Sequence, residues 1–353
     1  MKLAFNQARK ILGNTSDNPA VGCVVVKNNV VLSLTHTNIK GRPHAERIAL
    51  SNNKINFTNS SIYSTLEPCS HLGKTSPCID IIMKKKIKSV YFSKYDPDLR
   101  SYKKAKNKLY KKKILTYEKL CFKKGDNFYR DFYLQKKTDR IFITSKLATS
   151  KDYFISNRHK KLITNIYSRG RVHLLRSTHD AILTTSNTIL QDNSILNCRI
   201  NGLEKYSPKR FILDKDLTIS TDKKIIKTAS KIKTYIFYNF SDSKKLKKFK
   251  KLKVKTIKVD LKDNHLDFDK IIFILRKMKI KRVLVEAGIK FNKFLLENNY
   301  INDFYHFYSN KYFKNNGFHN TKFFFNKMNK LKKNKKKVIA YLYQDKLVKY
   351  LIN

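Results

Sequence analysis

Two short stretches hold residue types that can do chemistry. In PHAERIAL, His44 and Glu46 stand two apart; in LEPCSHLGKTSPC, Cys69 and Cys78 each follow a proline, with eight residues between them. On a mid-helix surface, residues two apart point to opposite sides. At a helix start the first-turn side chains can converge on an object at the end of the axis, and Pro43 places His44 at such a start. The segment Cys69-Ser70-His71, after the strand SSIYSTLEP, is expected to open a second helix. Two such starts facing each other bring His44, Cys69 and Cys78 together. One imidazole and two thiolates make a three-ligand zinc set, with a fourth position open for water as a catalytic zinc requires.

Zinc lowers the pKa of that water. Glu46 is then free to move a proton between the water and a leaving amine. H-x-E followed by P-C and a second cysteine is the pattern of zinc deaminases. Either half alone is common by chance; the two in order, beside predicted strands and helix starts, are specific. Two plainer readings compete. His44 could be a capping or core histidine, and the cysteines a structural zinc clip with His71 as fourth ligand. Cys69 and His71 stand only two apart, which argues against the clip; Glu46 argues against a non-enzymatic, zinc-stabilised basic binding protein, because a structural zinc does not need it. Eight residues between the cysteines, SHLGKTSP, replace the two usual in deaminases of nucleosides and nucleic acids. His71, Gly73 and Lys74 would give that loop a mobile, positive rim suited to a substrate phosphate, or else a solvated loop.

The elements around these residues read as α/β. Residues 1–13 have helical spacing, and AVGCVVVKNNVVLSLTHT is a hairpin turning at Asn-Asn. HAERIALSN and CIDIIMKKK read as helices, SSIYSTLEP and SVYFSKYDP as strands. At 353 residues two domains are expected, and the polar, basic stretch before Arg140 puts a boundary near Thr138 (1–138 and 139–353). Beyond it RIFITSKLAT, KRFILD, KTYIFYN and IKRVLVEAG read as strands and IYSRGRVHLLRSTHD and FDKIIFILRKM as helices; AILTTSNTIL is a strand entering a turn, KKLKKFKKLKVK a solvated face or loop, and the tail ends in strands. VLVEAGIKFNKFLLEN is a strand, a glycine turn and a helix start, an element that can offer backbone N–H groups to a phosphate.

Lys+Arg total 77 against 26 Asp+Glu, a formal charge of +51. That favours nucleic acid as a partner. Abundant Lys, Asn, Ile, Tyr and Phe, scarce Gly, Pro and Ala, and no Trp point instead to codons biased towards A and T, with the lysines spread along the chain. No run approaches the ~18 apolar residues of a membrane span, and the first residues do not read as a leader. A cytoplasmic protein is expected, a compartment where disulfides rarely persist. Cys23, Cys121 and Cys198 are isolated and read as structural.

DNPAVGCVVV, PHAERIAL and TLEPCSHLGKTSPC resemble the deaminase half of the bifunctional riboflavin-biosynthesis enzymes. SKLATSKD, LITNIYSRGRVHLLRSTHDAILTTSNTILQDN and VLVEAG resemble their reductase half, so the resemblance covers most of the chain and weakens after about residue 310. It implies an N-terminal three-layer cytidine-deaminase-like domain and a C-terminal dihydrofolate-reductase-like α/β domain. It also implies hydrolytic deamination of 2,5-diamino-6-ribosylamino-4(3H)-pyrimidinone 5′-phosphate, then NADPH-dependent reduction of the ribosyl group to ribityl. By position, His44, Cys69 and Cys78 would bind zinc and Glu46 would shuttle the proton. Asn18 would hydrogen-bond the pyrimidine. Ala148, Thr188, Asp192 and the segment from Gly288 would face NADPH; Lys160, Arg176, Leu196, Arg199 and Glu286 would line the substrate site, with Arg176 and Arg199 able to clamp a phosphate. The implied partner is a phosphorylated pyrimidine, not a membrane or a nucleic acid, and a homo-oligomer stays open.

The chain departs from the family at several points. The usual Gly before Ala-Ser is Ala148, followed by Thr149; Asp-Gly is Asp152-Tyr153; the Trp before Ile-Thr is Leu162; Asp-Asp-Pro is Asp192-Asn193-Ser194. Tyr153 would strain the backbone if its position needs positive φ. Arg42 and Ser76 replace usual residues in the deaminase half, where one extra residue also sits between His36 and His44. The alternatives are a working deaminase with a decayed reductase half, or a tRNA deaminase whose basic second half binds RNA. The long inter-cysteine loop and VEAG argue against the second.

Overall fold

The computed structural model describes residues 1–158, 162–331 and 335–352. It divides into two compact units, Met1–Arg140 and Ile141–Asn353. In the first, α1 (Lys2–Ile11) precedes a hairpin of β1 (Gly22–Lys27) and β2 (Val30–His36), then α2 (Ala45–Ala49), β3 (Ser61–Leu66), α3 (Cys78–Lys84), β4 (Ser89–Lys94), α4 (Ala105–Tyr110), β5 (Leu115–Tyr117), α5 (Phe122–Phe128) and α6 (Arg130–Thr138). The sheet order is β2-β1-β3-β4-β5, antiparallel as far as β3 and parallel beyond it.

The hairpin forms because Asn28 and Asn29 both accept the left-handed backbone, at φ 49° and 62°, that a tight two-residue turn requires. Gly22 faces α1 so closely that a Cβ there would lie 1.8 Å from the Ala4 carbonyl oxygen. Its neighbour Cys23 pairs with Ser64, whose hydroxyl bonds Glu46 of α2. Successive strand residues point to opposite faces. Helices α1 and α2 therefore cover opposite sides of the sheet, which makes three layers. On the parallel side Tyr63, Tyr91 and Tyr117 pair in register across β3, β4 and β5. Their rings stack at 4.6 and 4.5 Å between centroids.

The second unit runs β6 (Phe142–Thr149), β7 (Phe154–Asn157), α7 (Ile166–Ser177), β8 (Ala181–Thr185), α8 (Ser186–Asp192), β9 (Lys209–Leu213), α9 (Lys224–Lys227), β10 (Thr234–Tyr238), α10 (Ser243–Lys251) and β11 (Val254–Lys258). It continues with β12 (Leu261–Lys262), β13 (His265–Leu266), α11 (Phe268–Lys277), β14 (Arg282–Glu286), α12 (Ile289–Glu297), β15 (Asp303–Tyr308), β16 (Gly317–Asn320), α13 (Lys322–Lys330), β17 (Lys335–Leu342) and β18 (Asp345–Leu351). Nine strands form one sheet, β11-β10-β9-β8-β14-β6-β15-β18-β17, parallel except for the last two pairings. Alternate residues serve two cores: Ala181, Leu183, Val283 and Val285 on one face, Ile182 and Leu284 on the other. Both faces are covered, which is why these strands read as unbroken apolar runs.

One expectation changes, and two that were left open are decided. Residues after Thr185 form α8 rather than a turn, and the Lys-rich stretch is the helix α10, capped by the Asp242 side chain. Its Phe249 is buried, so the lysines occupy the other flank of an amphipathic helix. Tyr153 does adopt φ 67°. A non-glycine residue there costs about 1–2 kcal/mol. Its ring packs against Tyr308 and Phe325, with centroids 5.6 and 5.7 Å away, which offsets that cost.

His306 is buried, stacks on Phe325 and hydrogen-bonds Thr149 Oγ1 at 2.8 Å. Burial, then Lys336, pushes its imidazolium down to about 3. An unfolded histidine takes its proton near pH 6.5. The folded chain is thus favoured fully above that value and loses the contribution as pH falls towards 3. Burial of Asp180, which pushes its carboxyl up to about 6, acts with the opposite sign. The histidine effect is therefore read as a difference between the chain and His306→Gln. In urea unfolding followed by circular dichroism, the stability gap between the two should close by about 1.4 kcal/mol per pH unit below about pH 6.5. A gap independent of pH would show that His306 is not held neutral.

Candidate active sites in the two units

In the first unit the chemistry gathers where α2 and α3 begin. His44 is the residue before α2, on an extended backbone (φ −69°, ψ 155°), and Glu46 lies in the first turn. Cys78 is the first residue of α3, after Pro77. Cys69 does not open a helix, contrary to the sequence expectation. It sits in an irregular segment after β3, where the next N–H, that of Ser70, goes to the Ser101 hydroxyl instead of into a helical ladder. The convergence forms all the same. His44 Nδ1 stands 3.5 Å from Cys69 Sγ and 3.4 Å from Cys78 Sγ, and all three donor atoms lie within 4.8 Å of one another.

These distances fit zinc. Nitrogen and sulfur ligands at about 2.0 and 2.3 Å from a tetrahedral ion stand about 3.5 Å apart. The Cys78 thiol, then the His44 ring, pulls the Cys69 thiol down, and the same contact and burial push the Cys78 thiol up. The Cys78 N–H also donates to Cys69 Sγ at 3.2 Å. Glu46 is only 3% exposed, and burial raises its pKa. Ser64 Oγ donates to Glu46 Oε1 at 2.7 Å and fixes the carboxylate.

Sequence reasoning missed Ser64, Glu67 and Ser101. Glu67 accepts from the N–H groups of Asp96, Lys103 and Ala105 at 3.2, 3.1 and 3.1 Å. That folds residues 96–105 so that Ser101 Oγ lies 2.7 Å from His71 Nδ1. The only signal for Glu67 was its place next to Pro68-Cys69, and Ser64 had none beyond strand alternation. His71 is half-buried and Lys74 exposed. Asn18 packs beside Gly41, where a Cβ would come within 2.5 Å of its Nδ2.

In the second unit β8, β14 and β6 are adjacent parallel strands, and Ala148, Glu286, Thr188 and Gly288 lie at or just beyond their C-terminal ends. Such crevices are where open α/β sheets bind ligands. Glu286 ends β14, 5% exposed, and forks on Arg176 (Nε to Oε1 2.7 Å, Nη2 to Oε2 3.0 Å). Lys146 Nζ of β6 lies 3.1 Å from Oε2. Against burial, Arg176 and Lys146 hold the Glu286 carboxyl down at about 2. Lys146, also missed in the sequence, is thus central. Arg176 spends its fork on Glu286, so the expected pair of arginines open to a phosphate is not what is seen. Arg199 is exposed, with Nε and Nη2 at 3.3 and 3.2 Å from His173 Nε2.

Thr188 Oγ1 lies 3.1 Å from Thr185 Oγ1 at the start of α8, and Asp192, the last residue of that helix, feels the charges of Lys146 and Glu286. Gly288 precedes α12 with no atom within 4 Å of a Cβ position, so a ligand can approach that backbone, as a dinucleotide phosphate requires. Ala148 is half-buried on β6. Leu196 is 3% exposed, and its side chain belongs to the core rather than to a pocket wall. Lys160 lies outside the described residues. Among the described residues no helix is long and apolar enough to cross a membrane.

Comparison with known proteins bears on both units. The cytidine and deoxycytidylate deaminase zinc-binding region matches residues 1–94, and the RibD C-terminal domain matches residues 141–312. The riboflavin biosynthesis protein RibD of Actinobacillus pleuropneumoniae is 30% identical over 304 residues, covering 86% of this chain and 80% of its own length. The chain belongs to the RibD family of riboflavin biosynthesis proteins. The RibD of Aquifex aeolicus is 32% identical over 82% of this chain and 80% of its own length. The crystal structure of a diaminohydroxyphosphoribosylaminopyrimidine deaminase/5-amino-6-(5-phosphoribosylamino)uracil reductase from Thermotoga maritima has a TM-score of 0.84 at 27% identity, covering 100% of this chain and 97% of that one. The chain is therefore a bifunctional enzyme of riboflavin biosynthesis, a zinc-dependent deaminase joined to a reductase that uses NADPH.

Replacing Glu46 by Gln keeps its shape and removes its proton chemistry. Ammonia release should fall by about 10²–10⁴, with one zinc still bound by elemental analysis. Loss of zinc together with activity would mean that Glu46 holds the metal site instead.

Proposed function

We propose that residues 1–138 of this chain deaminate a diaminopyrimidinone ribosyl 5′-phosphate and that residues 139–353 reduce its ribosyl group to ribityl. The observation that carries the reading is the approach of His44 Nδ1 to both sulfurs at 3.5 and 3.4 Å, with the carboxyl of Glu46 buried close by. His44, Cys69 and Cys78 would hold zinc, which when bound supplies the Lewis acidity that makes hydroxide accessible near neutrality. Glu46 takes the proton of the attacking water and delivers it to the leaving amine as the C–O bond forms and the C–N bond breaks. Burial raises its pKa, which favours the protonated form over that of an exposed glutamate. Asn18 hydrogen-bonds the pyrimidine, and His71 and Lys74 face the phosphate.

In the second unit NADPH, when bound, supplies the hydride. Ala148, Thr188, Asp192 and Gly288 face it. Arg176, Arg199, Glu286 and, from the resemblance, Lys160 line the substrate, with Leu196 behind the wall. Glu286, kept ionised by Arg176 and Lys146, orients these two cations. The reading puts the enzyme in the cytoplasm, where ligand thiols stay reduced.

The test is a one-pot assay of the zinc-loaded chain with the diaminopyrimidinone ribosyl phosphate, following ammonia and NADPH separately. Release of ammonia coupled to NADPH oxidation is expected. Ammonia without NADPH oxidation would limit the chain to the first step, and no ammonia would overturn the reading.

A further inference from the structure

The loop between the two cysteines is anchored at both ends to different parts of the fold. Its first half is tied by Ser101, which bonds Ser70 N and His71 Nδ1, and by Lys108 Nζ, which donates to Ser70 O at 2.7 Å. Its second half is tied by two arginines that flank the His44–Glu46 segment. Arg42 Nη1 donates to Thr75 Oγ1 at 2.7 Å; Arg47 Nη2 donates to Ser76 Oγ at 2.6 Å and to Ser76 O at 2.9 Å. Residues 72–76 are exposed, and within the loop tip one backbone bond is present, Gly73 N to Thr75 O at 3.3 Å. The tip therefore has little order of its own. A Cβ on Gly73 would lie 3.6 Å from Arg42 Nη2 and 3.8 Å from His71 Nε2, so both side chains reach this bare stretch of backbone.

We propose that Arg42 and Arg47 are positioning residues that clamp the inter-cysteine loop and so hold His71 and Lys74 ready for the substrate phosphate. The clamp rests on the deaminase reading given above for His71 and Lys74. The physical reason is preorganisation. Ordering a loose backbone on binding costs conformational entropy, and a loose tip would take that from binding energy. The segment that supplies a metal ligand and the proton shuttle also supplies both clamps. Loop and zinc ligands are thereby referenced to one short stretch of chain.

The test compares the full zinc-loaded chain with Arg42→Ala, Arg47→Ala, the double variant and Arg47→Lys. Hydrogen exchange of residues 70–77, read by mass spectrometry, should speed up in the alanine variants while β3 and α3 keep their rates. KM for the phosphorylated pyrimidine should rise roughly tenfold, with kcat within about twofold and zinc content unchanged. KM for the dephosphorylated riboside should barely move, and Arg47→Lys should recover part of the loss. Unchanged exchange in the double variant overturns the clamp. So does a fall in kcat and zinc content at constant KM, which would assign the arginines to the metal site. If the unmodified chain releases no ammonia, the deaminase reading fails, and the exchange data still decide whether the loop is clamped.

Discussion

The first active site depends on three donor atoms, one imidazole nitrogen and two sulfurs, from separate segments meeting at one point. A ring nitrogen 3.5 and 3.4 Å from two sulfurs leaves a tolerance of a few tenths of an ångström. No local motif can deliver that. His44 must be outside its helix and Glu46 inside it, which the extended backbone at His44 achieves. Cys78 must begin a helix that touches α2, and Cys69 must leave β3 at a set height. The sheet provides the common reference: β3 lies between β1, which carries the α2 face, and β4, whose exit leads to Asp96 and the segment gathered by Glu67. Much of the unit's polar interior therefore serves placement rather than chemistry.

The two units use carboxylates in opposite ways. Glu46 is buried with one hydroxyl donor, and burial favours its protonated form. Glu286 is as deeply buried, but two cations keep it ionised. The first suits a group that must exchange protons, the second one that must stay a fixed charge. Environment, not residue type, makes the division.

The order of strands and helices was legible in the sequence wherever periodicity or a turn signal was strong. Asn28-Asn29 gave the hairpin, and the VEAG turn gave the start of α12. The zinc set was legible because histidine and cysteine are rare in the chain. Where the reading fell short, the cause was non-local. Ser70 is drawn from a helical course by Ser101, thirty-one positions away. Arg176 looked like a solvated cation or a phosphate clamp until Glu286, one hundred and ten positions on, took its fork. Lys146 and Ser64 sit in strands whose alternation says only which face they occupy. Tyr153 is the converse case. The substitution for glycine was plain, but its tolerance depends on an aromatic cluster assembled from β15 and α13.

The tyrosine ladder of the first sheet has a consequence outside catalysis. Tyr63, Tyr91 and Tyr117 lie nearly parallel, with 11° and 9° between successive planes. Rings held face to face at such distances couple their ultraviolet transitions and exchange excitation energy. The chain has no tryptophan to mask them. The three rings are an optical label built into β3, β4 and β5, and the coupled signal exists only while those strands keep their register.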